Sequence, residues 1–314
     1  MKYLSLLLIF VVLNTKLALS QNDNNIGKIS LSVIMPDNLE GLSIGNLSKL
    51  ETKITQIITS TGLAATGYNN NFVIYPKFAI YETSIVESGL QDITISNCEI
   101  SLFIKQVDNN VIFATISKPL KGSGKDKQIS ITNAITKINI KDLDFQSFIN
   151  SGKNKIIAYY ESKCGDIISK SESLVKMQDY EQALGLLMTV PDEVSCYNKV
   201  LQKSIEAYKL YQDQKCIVQL QKARTQLASN NYHDALNILS QIDPSTPCFK
   251  ESKNLIESAA SKVDQEEKKQ WDVLMKVYND EVALEKLRIN AVKEIAVSYF
   301  KSKPTTVSYT YLIR

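Results

Sequence analysis

The hydrophobic rhythm of the chain changes once, near residue 143. Before that point, strand-like and helix-like stretches interleave. Ile29, Leu31 and Val33 alternate with polar neighbours, which is the period of a strand, and Pro36 ends the run. Leu47, Leu50, Ile54, Ile57 and Ile58 then recur at helical spacing and predict an amphipathic helix over residues 43–60, closed by Gly62. The apolar runs 72–74 and 78–80 bracket Pro76. Proline has no ladder N–H, so this pattern predicts an edge strand or a bulge. Ile93, Ile95, Ile100, Leu102, Phe103 and Ile104 form a long β-rich run. Asp108, Asn109 and Asn110 turn the chain, and residues 111–116 return as the second strand of a hairpin. Lys121-Gly-Ser-Gly-Lys125 reads as a loop, and Ile131, Ala134, Ile135 and Ile138 predict a second amphipathic helix. The expected order is β-α-β-β-β-α.

From residue 143 the apolar period is three to four, and Gly and Pro become rare. Sliding the sequence 52 residues along itself exposes an internal repeat. Cys164 then falls on Cys216, Tyr180 on Tyr232, Ala183-Leu184 on Ala235-Leu236, Leu187 on Leu239, and Cys196-Tyr197 on Cys248-Phe249. A final helix is expected over residues 261–301, which contain no Gly or Pro. Its stripe is Trp271, Leu274, Val277, Tyr278, Leu284, Leu287 and Val292, and Pro304 stops it. Val307, Tyr309 and Tyr311 alternate with polar residues and predict a terminal strand, which must pair with the N-terminal sheet or with a partner's. The fold class is therefore α+β. Its parts are a mixed α/β domain over 27–142, two helical units of about 52 residues over 143–262, and a long helix with a terminal strand over 263–314.

In the repeat, Asp179-Tyr-Glu-Gln-Ala-Leu184 leads to Val190-Pro191, and Asn231-Tyr-His-Asp-Ala-Leu236 leads to Ile242-Asp-Pro244. This resembles the second-helix half of tetratricopeptide repeats. Tyr and Leu fill the space between antiparallel helices, Ala lets their backbones approach, and Pro ends the helix. The period departs from the usual 34 residues, so the resemblance does not carry over that family's groove.

Helix rise places the cysteines. Cys164 lies 14 residues before the end of the first repeat helix, about 21 Å at 1.5 Å per residue. The return helix over 180–190 recovers about 16 Å, and the loop to Cys196 covers most of the rest. Cys164 and Cys196 should thus sit at one level, and so should Cys216 and Cys248. Cys196 and Cys216 fall on one helix about 30 Å apart, too far to bond. The expected disulfides are Cys164–Cys196 and Cys216–Cys248, each stabilising by roughly 2–4 kcal/mol. Cys98 remains, inside a strand-like run, and reads as a buried inert thiol, with an intermolecular disulfide as the alternative. No CxxC occurs among the five cysteines and the one His does not repeat, so zinc is not expected.

Residues 1–20 look like a signal peptide. Lys2 is followed by an uncharged apolar run over 4–12, with small residues at Ala18 and Ser20. The run is short for a membrane span, and the polar stretch 21–25 after it argues against an anchor. Lys2 and Lys16 supply two of the +3 formal charges, so the chain after Ser20 is near neutral. That balance gives no electrostatic case for nucleic acid. No other segment reaches the length and apolarity of a transmembrane helix.

The candidate chemistry is thin. Lys121-Gly-Ser-Gly-Lys125-Asp fails the phosphate-loop pattern, which needs four residues before Gly-Lys and Ser or Thr after it. Asp126 reads instead as a helix cap. His233 matches Glu181 in the repeat and reads as a solvated helix residue. No Gly-x-Ser-x-Gly elbow is present. Asn46-Leu-Ser48 fits a glycosylation acceptor but falls inside a predicted helix. The tyrosines at 159, 160, 197, 208, 211 and 232 fit either a packed core or an aromatic-lined interface. No catalytic residue, cofactor or metal site is assigned.

The N-terminal part resembles a group of bacterial envelope proteins: the curli-assembly lipoprotein, the penicillin-binding-protein activator lipoproteins and flagellar-assembly relatives. The resemblance rests on the helix Leu50-Glu-Thr-Lys-Ile-Thr-Gln-Ile-Ile58, on Phe72-Val-Ile-Tyr75, on the hairpin, and on Leu120-Lys-Gly-Ser-Gly124 before Asn133-Ala-Ile-Thr-Lys-Ile138. It covers about 110 residues by pattern, and the lipid-attachment Cys of those lipoproteins is absent here. The whole chain is similar to exported proteins of Bacteroidetes. The resemblance implies a periplasmic, outer-membrane-associated or secreted adaptor that binds envelope proteins without catalysis. A subunit of an oligomeric envelope or secretion assembly, including a homo-oligomer, is the second possibility, and a hydrolase of envelope polymer the third.

Overall fold

A computed structural model describes residues 28–36, 39, 41–64, 72–87, 91–259, 262–263 and 265–302. The expected signal peptide and terminal strand lie outside these residues. The fold is α+β, with a four-stranded mixed sheet on the N-terminal side and helices after it. In chain order the first elements are β1 (Ser32–Val33), α1 (Ile44–Ser60), β2 (Phe72–Val86), β3 (Ile93–Gln106), β4 (Ile112–Gly124) and α2 (Lys127–Thr136). The helices α3 (Leu143–Lys176), α4 (Tyr180–Leu187), α5 (Tyr197–Ala228), α6 (Tyr232–Leu239), α7 (Phe249–Ala259), α8 (Gln265–Asn279) and α9 (Glu281–Ser302) follow.

The sheet order is β1-β2-β3-β4, parallel between β1 and β2 and antiparallel elsewhere. Strand alternation decides which face is buried. On β3 the even positions Thr94, Ser96, Cys98, Ile100, Leu102 and Ile104 are all buried. Cys98, Ile100, Leu102 and Ile104 share one core with Leu50, Ile54, Ile57 and Ile58 of α1 and with Ile131, Ala134 and Ile135 of α2. Ser43 caps α1 by accepting from the Asn46 amide, and Asp126 caps α2 by accepting from the Ile129 amide at 2.8 Å.

Of the two readings of Pro76, the edge strand holds: β2 runs unbroken through the proline, and the pairing irregularity lies further on, at Ile80/Glu82. Two other expectations, a loop over 121–125 and an unbroken final helix, are corrected. Pro76 is tolerated because β1 pairs only with Val73 and Ile74, which leaves the proline on an edge. The segment 121–124 is not a loop but the end of β4. Its glycines let α2 press onto the strand backbone, where a Cβ on Gly122 would collide with the Ser130 carbonyl and the Ala134 amide. The long final helix is broken at Asp280, whose carboxylate accepts from the Val282 and Ala283 amides and so starts α9 afresh.

The helix α3 joins the two parts. At 34 residues it is about 50 Å long. One buried stripe runs its length: Phe145, Phe148, Ile149, Gly152, Ile156, Tyr160, Cys164, Ile168, Ser171 and Leu174. The first half belongs to the sheet's core, where Gly152 lies so close to Ile104 and Ala114 that a Cβ would meet the Ile104 side chain. The buried core is continuous across residue 142. Where α3 leaves the sheet, Phe72, Phe113, Tyr159 and Tyr160 form a ring cluster with centroids 5.3–6.0 Å apart. Gln106 donates to the Tyr160 hydroxyl at 2.8 Å, and Asn109 donates to the Tyr159 hydroxyl at 3.2 Å.

The glycines predict opposite effects. Gly122→Ala is expected to cost about 3 kcal/mol, because backbone must move. Gly45→Ala, on an open helical site, is expected to gain about 0.5–1 kcal/mol. Urea unfolding of the two variants measures both.

Candidate binding surfaces

The helical part uses one local construction twice, 52 residues apart. Gln178 and Asn230 both adopt left-handed backbone, φ 62° and 60°. The next residue closes the turn each time: Asp179 N donates to Leu174 O, and Asn231 N to Gln226 O, both at 2.9 Å. Ala183 and Ala235 are fully buried, so the short helices α4 and α6 lie close on their neighbours. Leu187 and Val190 in one unit, and Leu239 and Ile242 in the other, fill the space beneath.

The structure brings the four repeat cysteines together in pairs. Cys164 is bonded to Cys196 with Cα atoms 6.6 Å apart, and Cys216 to Cys248 at 5.8 Å. Each bond ties a long helix to the loop beside it. Ser195 adds to the first brace by donating its amide and hydroxyl to Glu161, both at 2.6 Å.

The second unit holds its loop differently. Position 247 is a proline and has no amide to offer. Asp243 takes over. It accepts from the Ser245 amide at 2.8 Å and from both Nε and Nη2 of Arg288 at 2.8 and 2.7 Å. The side chain of Asp243 is 1% exposed and that of Arg288 14%. Burial alone would raise the Asp243 carboxyl, but the bonds from Arg288 and Ser245 outweigh it and hold it below the ordinary carboxylate range. Tyr278 donates to the Ser240 carbonyl, and burial pushes its hydroxyl up to about 12. Through this pair α9 is fixed to the second unit. It is also fixed to the first, where Val292 packs with Leu184 and Tyr208, and Tyr299 lies over Gly185. Sequence reasoning missed Arg288. Its partner is 45 positions away, and only the unmatched Asp243 hinted at it.

What this bracing leaves outside is an apolar stripe on α5. Leu210, Ile217 and Val218 are 45%, 61% and 50% exposed. Gln214 between them donates at 3.4 Å to Gln178, whose chain neighbour Met177 is also exposed.

The other sequence candidates are placed as follows. His233 is exposed, in an open cleft of about 330 Å³ with Asn230, Asn231, Tyr232, Asp234 and Lys262. Cys98 is buried and unbonded to sulfur, and burial raises its thiol. Asn46 is buried, with its amide oxygen accepting from Thr132 at 2.7 Å, so its side chain is closed to a modifying enzyme. Tyr160, Tyr208 and Tyr211 are core residues, whereas Tyr197 and Tyr232 are half-buried. No helix among the described residues is long and apolar enough to cross a membrane.

The edge of β4 is blunted. Pro119 can sit only where its missing N–H faces away from β3. On that same outward parity, Lys121 and Ser123 present carbonyls that accept from Lys137 Nζ at 3.1 Å and Asn133 Nδ2 at 2.8 Å.

No family model and no curated protein matches the chain. Among solved structures, a minor lipoprotein from Acinetobacter baumannii aligns with 40% of this chain and 94% of its own, at 16% identity and a TM-score of 0.25. A Caulobacter crescentus CB15 protein described as a lipoprotein aligns with 40% and 93%, at 8% identity and a TM-score of 0.27. Both likenesses cover the minority of this chain.

The Asp243–Arg288 pair carries a prediction. Arg288→Ala leaves a buried carboxylate unpaired and is expected to cost about 3–5 kcal/mol. Because the folded value of Asp243 is depressed, the pair's contribution is full above about pH 5 and is lost as pH falls through 4 and below. Denaturant midpoints of wild type and Arg288→Ala should therefore converge on acidification. A gap that stays constant down to pH 2.5 would contradict this.

Proposed function

We propose that this chain is an exported, non-catalytic adaptor that binds envelope proteins through the outer face of its helical part. The observation that supports it is the stripe of Leu210, Ile217 and Val218 on α5, a helix tied at Cys216 and at its start, Cys196, by two disulfides. Clustered apolar side chains on a surface mark interaction sites more often than single ones do. Holding them on braced helices lowers the ordering cost of binding. Disulfides belong to oxidising compartments, which agrees with export under the signal-peptide pattern of residues 1–20. The division at 142/143 and 262/263, read as segments that share a core and not as separately folding units, and the tetratricopeptide-like character of the two helical units are part of this proposal.

The test compares wild type with Ile217→Lys/Val218→Lys after cross-linking in the native envelope. Both positions are exposed, so stability should change by less than about 0.5 kcal/mol. Wild type is expected to give defined cross-linked proteins that the double variant loses. Identical cross-link patterns from the two would overturn the assignment of this face. A purified sample that turns over an envelope polymer would overturn the adaptor reading itself.

A further inference from the structure

The open edge of β2 stands out from the rest of the sheet. Beyond Ile74 no described strand pairs with it. From Tyr81 to Val86 it is also largely exposed, with Tyr81 and Ile85 67% and Val86 46% exposed. β4 is blunted by a proline and by side chains from α2, whereas residues 82–86, past the irregularity at Ile80/Glu82, pair in regular register with β3 and hold no Lys or Pro. An unpaired edge with apolar side chains is a template for another strand. The charge around it is one-sided. No Lys or Arg occurs over 78–104, while Glu82, Glu87, Asp92 and Glu99 do.

The chain carries a segment of complementary chemistry. Residues 305–313 read Thr-Thr-Val-Ser-Tyr-Thr-Tyr-Leu-Ile, almost wholly β-branched or aromatic. Residues 303–314 contain Lys303 and Arg314 and no acid. We propose that residues 305–313 of a second copy add as a strand to the edge of β2 at Tyr81–Val86.

Reach decides for a second copy over the same chain. The last turn of α9 lies at the far end of the sheet, where Tyr299 and Phe300 line one cavity with Asp108 of the β3–β4 turn. That turn is level with the start of β2, since Gln106 pairs with Phe72. From Phe72 to Ser84 the strand rises roughly 40 Å. From Ser302 to Tyr309, the middle of the segment, an extended chain covers roughly 25 Å. A segment centred on Tyr309 therefore falls short of residues 81–86 of its own chain. The described end of α9 and the acceptor residues 81–86 lie at opposite ends of the sheet, so the proposed contact is head-to-tail and either closes a ring or grows. This inference does not rest on the adaptor reading, which concerns a different face.

Light scattering of the purified full chain tests it. Association is expected to rise with protein concentration and to weaken with salt, since opposite charges meet. Tyr309→Pro removes a ladder donor from the segment, and Glu82→Lys/Ile85→Lys repels it at the edge. Each variant alone is expected to weaken association about tenfold or more. Mixed, the two should restore a one-to-one dimer that grows no further, because one copy keeps a good edge and the other a good segment. Circular dichroism melts near wild type keep the comparison fair. A full chain that stays monomeric at several hundred micromolar overturns the proposal. So does a mixture that fails to dimerise, and so does Tyr309→Pro associating like wild type.

Discussion

Everything in this molecule hangs on the unbroken burial stripe of α3. A helix that buries one face against a sheet normally ends with the sheet. Here the stripe continues from Phe145 through Tyr160 to Leu174 and passes from one packing partner to the next without a break. Buried positions recur every four residues from Gly152 to Ile168, so the stripe winds round the helix: Gly152 meets Ile104 and Ala114, and Cys164, roughly 120° further round, meets Cys196. The ring cluster around Phe72 and Tyr160 sits at the handover. It makes the junction of sheet and helices a packed core rather than a linker.

The helical part is then stiffened in two different ways. The first unit relies on the Glu161–Ser195 bonds beside its disulfide. In the second, Pro247 cannot accept that arrangement, and the Asp243–Arg288 pair draws α9 in. The same helix spans both units, since Tyr299 lies over Gly185 and Val292 over Tyr208. A buried ion pair of this kind adds little net stability over an apolar pair of equal volume. What it supplies is a single allowed position for α9.

Much of the fold was legible in the sequence because its signals are local. The β-rich run of β3, the stripe of α1 and the Asp126 cap each state their own structure. The element order β-α-β-β-β-α and the helical second half follow from them. Other features were not legible, for physical reasons. Periodicity shows that a face is buried but not against what, so the sharing of α3 between sheet and helices left no mark. Gly122 and Gly124 look like loop chemistry until the nearness of α2 is known. The break at Asp280 needs neither Gly nor Pro, because a capping carboxylate suffices. Of the surfaces, the α5 stripe is hidden in a helix whose apolar residues fall on several sides. Arg288 could be assigned only once its partner was in view.

The sheet and the helices share one core only if α3 is one continuous helix whose middle is as firmly held as its ends. Native-state hydrogen exchange of the amides over residues 157–165 measures this directly. The expected result is protection equal to that of the sheet core and of the disulfide-braced helices, with all three lost in one cooperative transition. Amides at 157–165 that exchange faster than both flanking cores, with the cores melting separately, would contradict it.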